Sequence, residues 1–138
     1  SGEMPSELGL CVELEQLGLS HNELSGELRS SIGQCVHLRE FTLQENRFSG
    51  SIPDALSLCA GLQTLKLDAN EFSGAIPPSL GRCRGLLTLH LGNNQLTGDI
   101  PAALGECRLL EDLQVSHNQL TGAVPAELSR CTRLKLRH

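Results

Sequence analysis

Apolar residues recur along this chain with two nested periods. The short one is two: in Leu62-Gln63-Thr64-Leu65-Lys66-Leu67 apolar and polar residues alternate as in a half-buried β-strand, Leu65 and Leu67 facing inward and Thr64, Lys66 and Asp68 outward. The long one is 24, the step that carries the same alternation from Leu14 to Leu38, Leu62, Leu86 and Leu110. Between strands the spacing widens, and Leu80, Cys83 and Leu86 stand as on a helical face, so the stretch from Pro78 to Gly85 reads as a short helical or 3₁₀ turn ended by Gly81. A unit this small cannot bury its apolar side alone. Repetition at a fixed interval therefore predicts stacked turns of one coil, with all strands parallel on one face.

The columns generated by that step are specific. Asn22, Asn46, Asn70, Asn94 and Asn118 fall where each strand ends, and a carboxamide there can both donate to and accept from main-chain groups left without partners at the bend. Gly26, Gly50, Gly74, Gly98 and Gly122 follow, at a point where the backbone must bend or approach its neighbour. Then comes an apolar residue before proline, as in Ile76-Pro77, where no ladder bond is required. Phe41, Phe48 and Phe72 occupy inward columns, which leaves no aromatic side chain for the surface. Two departures carry expectations of their own. Leu28-Arg29 replaces the apolar-proline pair and should loosen one turn. Leu134-Lys135-Leu136-Arg137-His138 puts Arg137 in an inward column, so the tail is expected to fray.

Six cysteines would ordinarily suggest disulfides, yet they too repeat at 24 residues. Side chains in one column run parallel, with Cα atoms one rung apart, roughly 4.8 Å. A disulfide needs vectors that converge to a Cβ separation of about 3.8 Å. Cys35, Cys59, Cys83 and Cys107 are thus expected to form a ladder of buried free thiols. A net charge of -5 without a basic run argues against a nucleic-acid surface. Ser20-His21 and Ser116-His117 invite a nucleophile-and-base reading, but strand neighbours point to opposite sides. His21 and His117 stand four rungs apart, on the order of 20 Å, too far to share a metal. Asp68-Ala69-Asn70-Glu71 lacks the glycine of a calcium loop. No enzymatic activity, metal or cofactor is expected.

The full pattern, with Leu96-Thr97-Gly98-Asp99-Ile100-Pro101 as its most specific part, closely resembles the plant-specific class of leucine-rich repeats. The resemblance implies an α/β repeat fold: a solenoid with a parallel β-sheet on its concave face and short 3₁₀ or helical turns on its convex face. On that reading residues 1–138 form a single solenoid, made of a partial repeat 1–13, full repeats 14–37, 38–61, 62–85, 86–109 and 110–133, and a partial repeat 134–138. It further implies an extracellular or cell-surface recognition module that takes a protein or peptide ligand and a co-receptor, as in receptor-like kinases and receptor-like proteins. A soluble inhibitor of a secreted hydrolase, of the polygalacturonase-inhibitor type, and a scaffold stretch with no ligand of its own are the alternatives. The resemblance places ligand contacts on outward positions of the strand face: Thr42, Gln44, Glu45, Lys66, Asp68, His90, Asn93, Gln114, Ser116 and His117. The chain shows no signal peptide, terminal cap, membrane span, kinase segment or Asn-x-Ser/Thr site, so a piece of a larger ectodomain is expected, tied to a membrane through segments outside it.

Overall fold

The computed structural model describes residues 2–138. The chain winds into a coil with two parallel six-stranded sheets and a 3₁₀ turn in each winding. The concave sheet consists of Gln16–Gly18, Glu40–Thr42, Thr64–Lys66, Thr88–His90, Asp112–Gln114 and Lys135–Arg137, stacked in sequence order. Phe41 lies beside Leu65 and Leu65 beside Leu89, while Thr42, Lys66 and His90 line up in the next column. The 24-residue period of the sequence is one turn of this coil.

One winding shows how the residues build it. Leu65, Leu67, Phe72, Ile76, Leu80, Cys83 and Leu86 all turn into a common core and are almost wholly buried. Past the strand, the Leu67 N–H donates to the His90 carbonyl at 2.8 Å, and Ala69 takes a left-handed conformation, φ 55°. That bend would orphan several carbonyls. Asn70 satisfies them: its Nδ2 donates to the carbonyls of Leu43, Leu67 and Asp68 at 3.0, 3.1 and 3.2 Å, and its Oδ1 accepts the Phe48 N–H at 2.9 Å. Each such bond contributes about 1 kcal/mol net, and leaving the buried groups unpaired would cost more. Asn46, Asn94 and Asn118 repeat the arrangement in their own windings.

A second parallel sheet follows, made of Gly2–Glu3, Leu24–Glu27, Arg47–Ser51, Glu71–Ala75, Gln95–Gly98 and Gln119–Leu120. Apolar periodicity gives no sign of these strands, because Glu71-Phe72-Ser73-Gly74-Ala75 sends a single large apolar side chain, Phe72, into the core. Partners here are 22 residues apart, Gly50 lying beside Phe72, so this sheet slants relative to the concave one. Gly74, at φ 76°, makes the kink. The rings of Phe48 and Phe72 stack with centroids 6.2 Å apart.

Each 3₁₀ turn is five residues long, as in Pro78–Arg82. Pro77 precedes it in extended conformation, and the Leu80 N–H donates to the Pro77 carbonyl at 3.1 Å. Gly81 does not end this turn; it sits inside it, and a Cβ there would run into the Ala103 carbonyl oxygen of the next winding. Close approach, not termination, requires the glycine. Nor does Leu28-Arg29 loosen its winding: Leu28 is buried, and Arg29 at φ −80°, ψ 149° holds the extended conformation the prolines hold elsewhere.

The last rung corrects the expected fraying. Lys135–Arg137 pairs along Asp112–Gln114, with Leu136 beside Leu113 and Arg137 beside Gln114. A one-residue slip of register exchanges the two faces of a strand. Here it moves Leu136 toward the core and brings the Arg137 charge outward, which avoids burying a guanidinium.

The cysteines form the expected ladder. None is in a disulfide, and all but Cys11 are buried. Each inner thiol donates back to the preceding winding, Cys107 Sγ lying 3.3 Å from the Cys83 carbonyl and 3.4 Å from that of Leu80. Burial pushes the thiols up, with a smaller push from neighbouring thiols: Cys59 to about 11 and Cys107 to about 12.

Candidate recognition face

The concave sheet turns its inward residues into the core and leaves its outward ones in ordered columns. Thr42, Lys66, His90 and Gln114 form one column in strict register, half-buried by their neighbours along the sheet. Gln44, Asp68 and Ser116 form a second, just past the strand ends, also half-buried. The structure separates Glu45, Asn93 and His117 from these. They are not strand residues but occupy the left-handed bend, with φ of 60°, 54° and 58°, and stand exposed along one rim of the face. His21 belongs to this rim as well, and its Nδ1 lies 2.8 Å from Glu45 Oε2. Ser20 and His21 share no hydrogen bond among the described residues.

Two residues of the face escaped the sequence reading. Asp112 stands in the outward column of Thr64 and Thr88 and meets His90, Oδ2 to Nε2 at 2.7 Å. Counting two positions back from each His90-type residue would have found it. Arg137 arrives only through the register slip and lies 3.9 Å from Asp112 Oδ2. His90 and Asp112 are 14% and 27% exposed, so this is the most shielded charged cluster on the concave sheet.

Among the described residues, the buried side-chain oxygens that accept no hydrogen bond are Gln44 Oε1, Asp68 Oδ1 and Asp112 Oδ1, and all three lie on this face. A buried acceptor without a donor is costly, so the face favours a partner that brings N–H or O–H groups. The chemistry otherwise is that of contact. The five buried thiols all titrate above their ordinary value, the reverse of what an activated nucleophile needs.

A stacked coil with an ordered, half-desolvated polar strand face is a recognition scaffold. Family models described as leucine rich repeat match residues 61–120, and again 13–35 and 37–59, and the chain belongs to the leucine-rich repeat family. Among solved structures it is similar to the plant peptide hormone receptor RGFR1 in complex with RGF2, at 37% identity and a TM-score of 0.96 over 98% of this chain and 22% of that one. It is also similar to the ectodomain of the membrane receptor kinase GASSHO1/SCHENGEN3 from Arabidopsis thaliana, in complex with CASPARIAN STRIP INTEGRITY FACTOR 2: 37% identity, TM-score 0.95, over 98% of this chain and 16% of that one. A plant ice-binding protein matches at 33% identity and a TM-score of 0.87, over 94% of this chain and 42% of that one. The chain thus spans about a fifth of the receptor ectodomains it resembles. No curated protein sequence matches it.

Proposed function

We propose that this chain is an extracellular, non-catalytic recognition module of a plant receptor ectodomain, which takes an extended peptide or a protein segment along its concave face. The observation that carries the reading is the column Thr42, Lys66, His90, Gln114, flanked by unpaired acceptors on Gln44, Asp68 and Asp112, on a coil that matches ectodomains whose structures hold peptide ligands. A peptide running across the rungs presents main-chain N–H groups at intervals these acceptors can meet. Lys66 and Asp68 supply charge of both signs for selectivity, His90, Gln114 and Ser116 add polar contacts, and Glu45, Asn93 and His117 line the rim, where a co-receptor could touch both coil and ligand. Since leucine-rich repeat coils of this geometry also include an ice-binding protein, the reading rests on the site and not on the fold alone.

The test is titration of this chain with a panel of synthetic secreted plant peptides by calorimetry, for the parent and for Lys66→Glu and Asp68→Lys variants. A peptide that binds the parent should bind the variants about tenfold more weakly or worse, the loss expected for truncating one charged contact, with melting unchanged. Peptide affinity indifferent to both substitutions would move the site off the concave face.

A further inference from the structure

Each 3₁₀ turn, with the residues that lead from it toward the next concave strand, forms a lateral ridge of the coil. In the first three windings this ridge, residues 6–13, 30–37 and 54–61, contains no lysine or arginine. In the next three it carries Arg82, Arg84, Arg108, Arg130 and Arg133, all exposed. Consecutive members of this set lie two to twenty-four residues apart in sequence, so the chain shows no basic run, and only winding assembles them.

Arg82 and Arg84 flank the buried Cys83 and therefore point away from the core together. Arg108 stands one winding on, in the column of Arg84, which holds Val12, Val36, Ala60 and Thr132 in the other windings. The pitch is short enough for side chains to meet between windings: Arg130 Nη1 reaches Glu106 Oε1 at 2.9 Å across one turn. Glu106 and Glu111 are occupied by Arg130 and Arg133, whereas Arg82, Arg84 and Arg108 have no ion-pair or side-chain hydrogen-bond partner among the described residues. Arg84 and Arg108 set like charges one rung, roughly 4.8 Å, apart at a cost in stability, and the neutral residues at their position in other windings show that packing does not require arginine there; Arg82 stands in the neighbouring column, between Leu58 and Glu106.

We propose that this ridge binds a linear acidic polysaccharide, a polyuronate with one carboxylate per sugar. Guanidinium forks match carboxylates in geometry, and Arg84 and Arg108 one rung apart, with Arg82 beside them, suit a polymer whose charges recur along an extended chain. A bilayer surface fits less well. It has no fixed charge interval, and the exposed Leu10, Val12, Val36 and Leu58 lie on other windings, which leaves Leu109 alone among the arginines. The ridge is separate from the concave face, so the proposal does not depend on peptide recognition.

The experiment measures retention of the 138-residue chain on immobilised polygalacturonate, on the same polymer fully methyl-esterified, and on phosphatidylcholine vesicles containing phosphatidylglycerol. The chain should bind the free acid and ignore the ester, and a fourfold rise in salt should weaken binding roughly twentyfold, as for a polyanion held by about three cationic contacts. The variant Arg82→Gln/Arg84→Gln/Arg108→Gln should lose retention, while Arg29→Gln/Arg39→Gln/Arg47→Gln, which removes the same charge elsewhere, should keep it, with melting of both followed by circular dichroism. If the ridge variant melts early, Arg84→Glu alone reads the same contact. Equal loss from both triple variants, retention on the ester, or capture by the vesicles without capture by the polyuronate would each overturn the proposal.

Discussion

At the scale of single residues, the coil is held by side chains repeated because one local problem is repeated. Asn70 satisfies four main-chain groups at a bend that each winding makes, and Cys83 lies fully buried while its thiol donates to a carbonyl one turn back. Both roles were legible as columns in the sequence, since few residue types fit them. The left-handed residue before each asparagine was not, because His21, Glu45, Ala69, Asn93 and His117 share no side-chain chemistry; only the backbone they adopt is common. The thiols give a prediction with a definite sign. Unfolded, they lose their protons near 9.0, while folded Cys59 and Cys107 hold theirs to about 11 and 12. The folded state then binds more protons, so the stability these groups contribute is complete below pH 9 and falls as pH rises toward 11 and 12, by about 1 kcal/mol per pH unit for each thiol. Melting measured from pH 8 to 11 should drop steeply for the parent and less for Cys59→Ala/Cys107→Ala. Parallel curves would show that the ladder thiols do not titrate as their burial demands.

At the scale of elements, strand alternation was readable because every second residue meets the core. The second sheet was hidden because its strands offer that core one large side chain each, and the slip at Lys135–Arg137 because nothing short of pairing weighs a buried leucine against a buried guanidinium. Gly81 illustrates a different limit. A glycine that ends a helix and one that lets two windings touch look identical in sequence. The structure assigns close approach, so Gly81→Ala should cost on the order of 1 to 3 kcal/mol as an overpacked contact, whereas Gly85→Ala, with open space around its Cβ position, should cost little. Chemical denaturation of the two variants compares them directly, and similar midpoints would contradict the assigned contact between Gly81 and Ala103.

At the scale of the whole molecule, each winding touches only its neighbours, so the coil's stability is a chain of nearest-neighbour contacts and its surfaces are free to diverge. That separation is the reason the architecture was plain in the sequence while the faces were not. Inward columns keep leucine, cysteine and asparagine, but the outward column runs Gly18, Thr42, Lys66, His90, Gln114 without rule, and the ridge gains its arginines only in its second half. The account's central claim is that inward residues hold the coil and outward residues of the same strand do not. Thermal melting of Leu89→Asp and His90→Ala, adjacent residues of one central strand, tests it most directly. Leu89→Asp buries an unpaired charge in a fully packed site and should abolish the cooperative transition. His90→Ala gives up one polar contact on the solvent side of the sheet, leaves Asp112 reachable by water, and should shift the midpoint far less. Equal loss from the two substitutions would contradict the division of labour on which the recognition face depends.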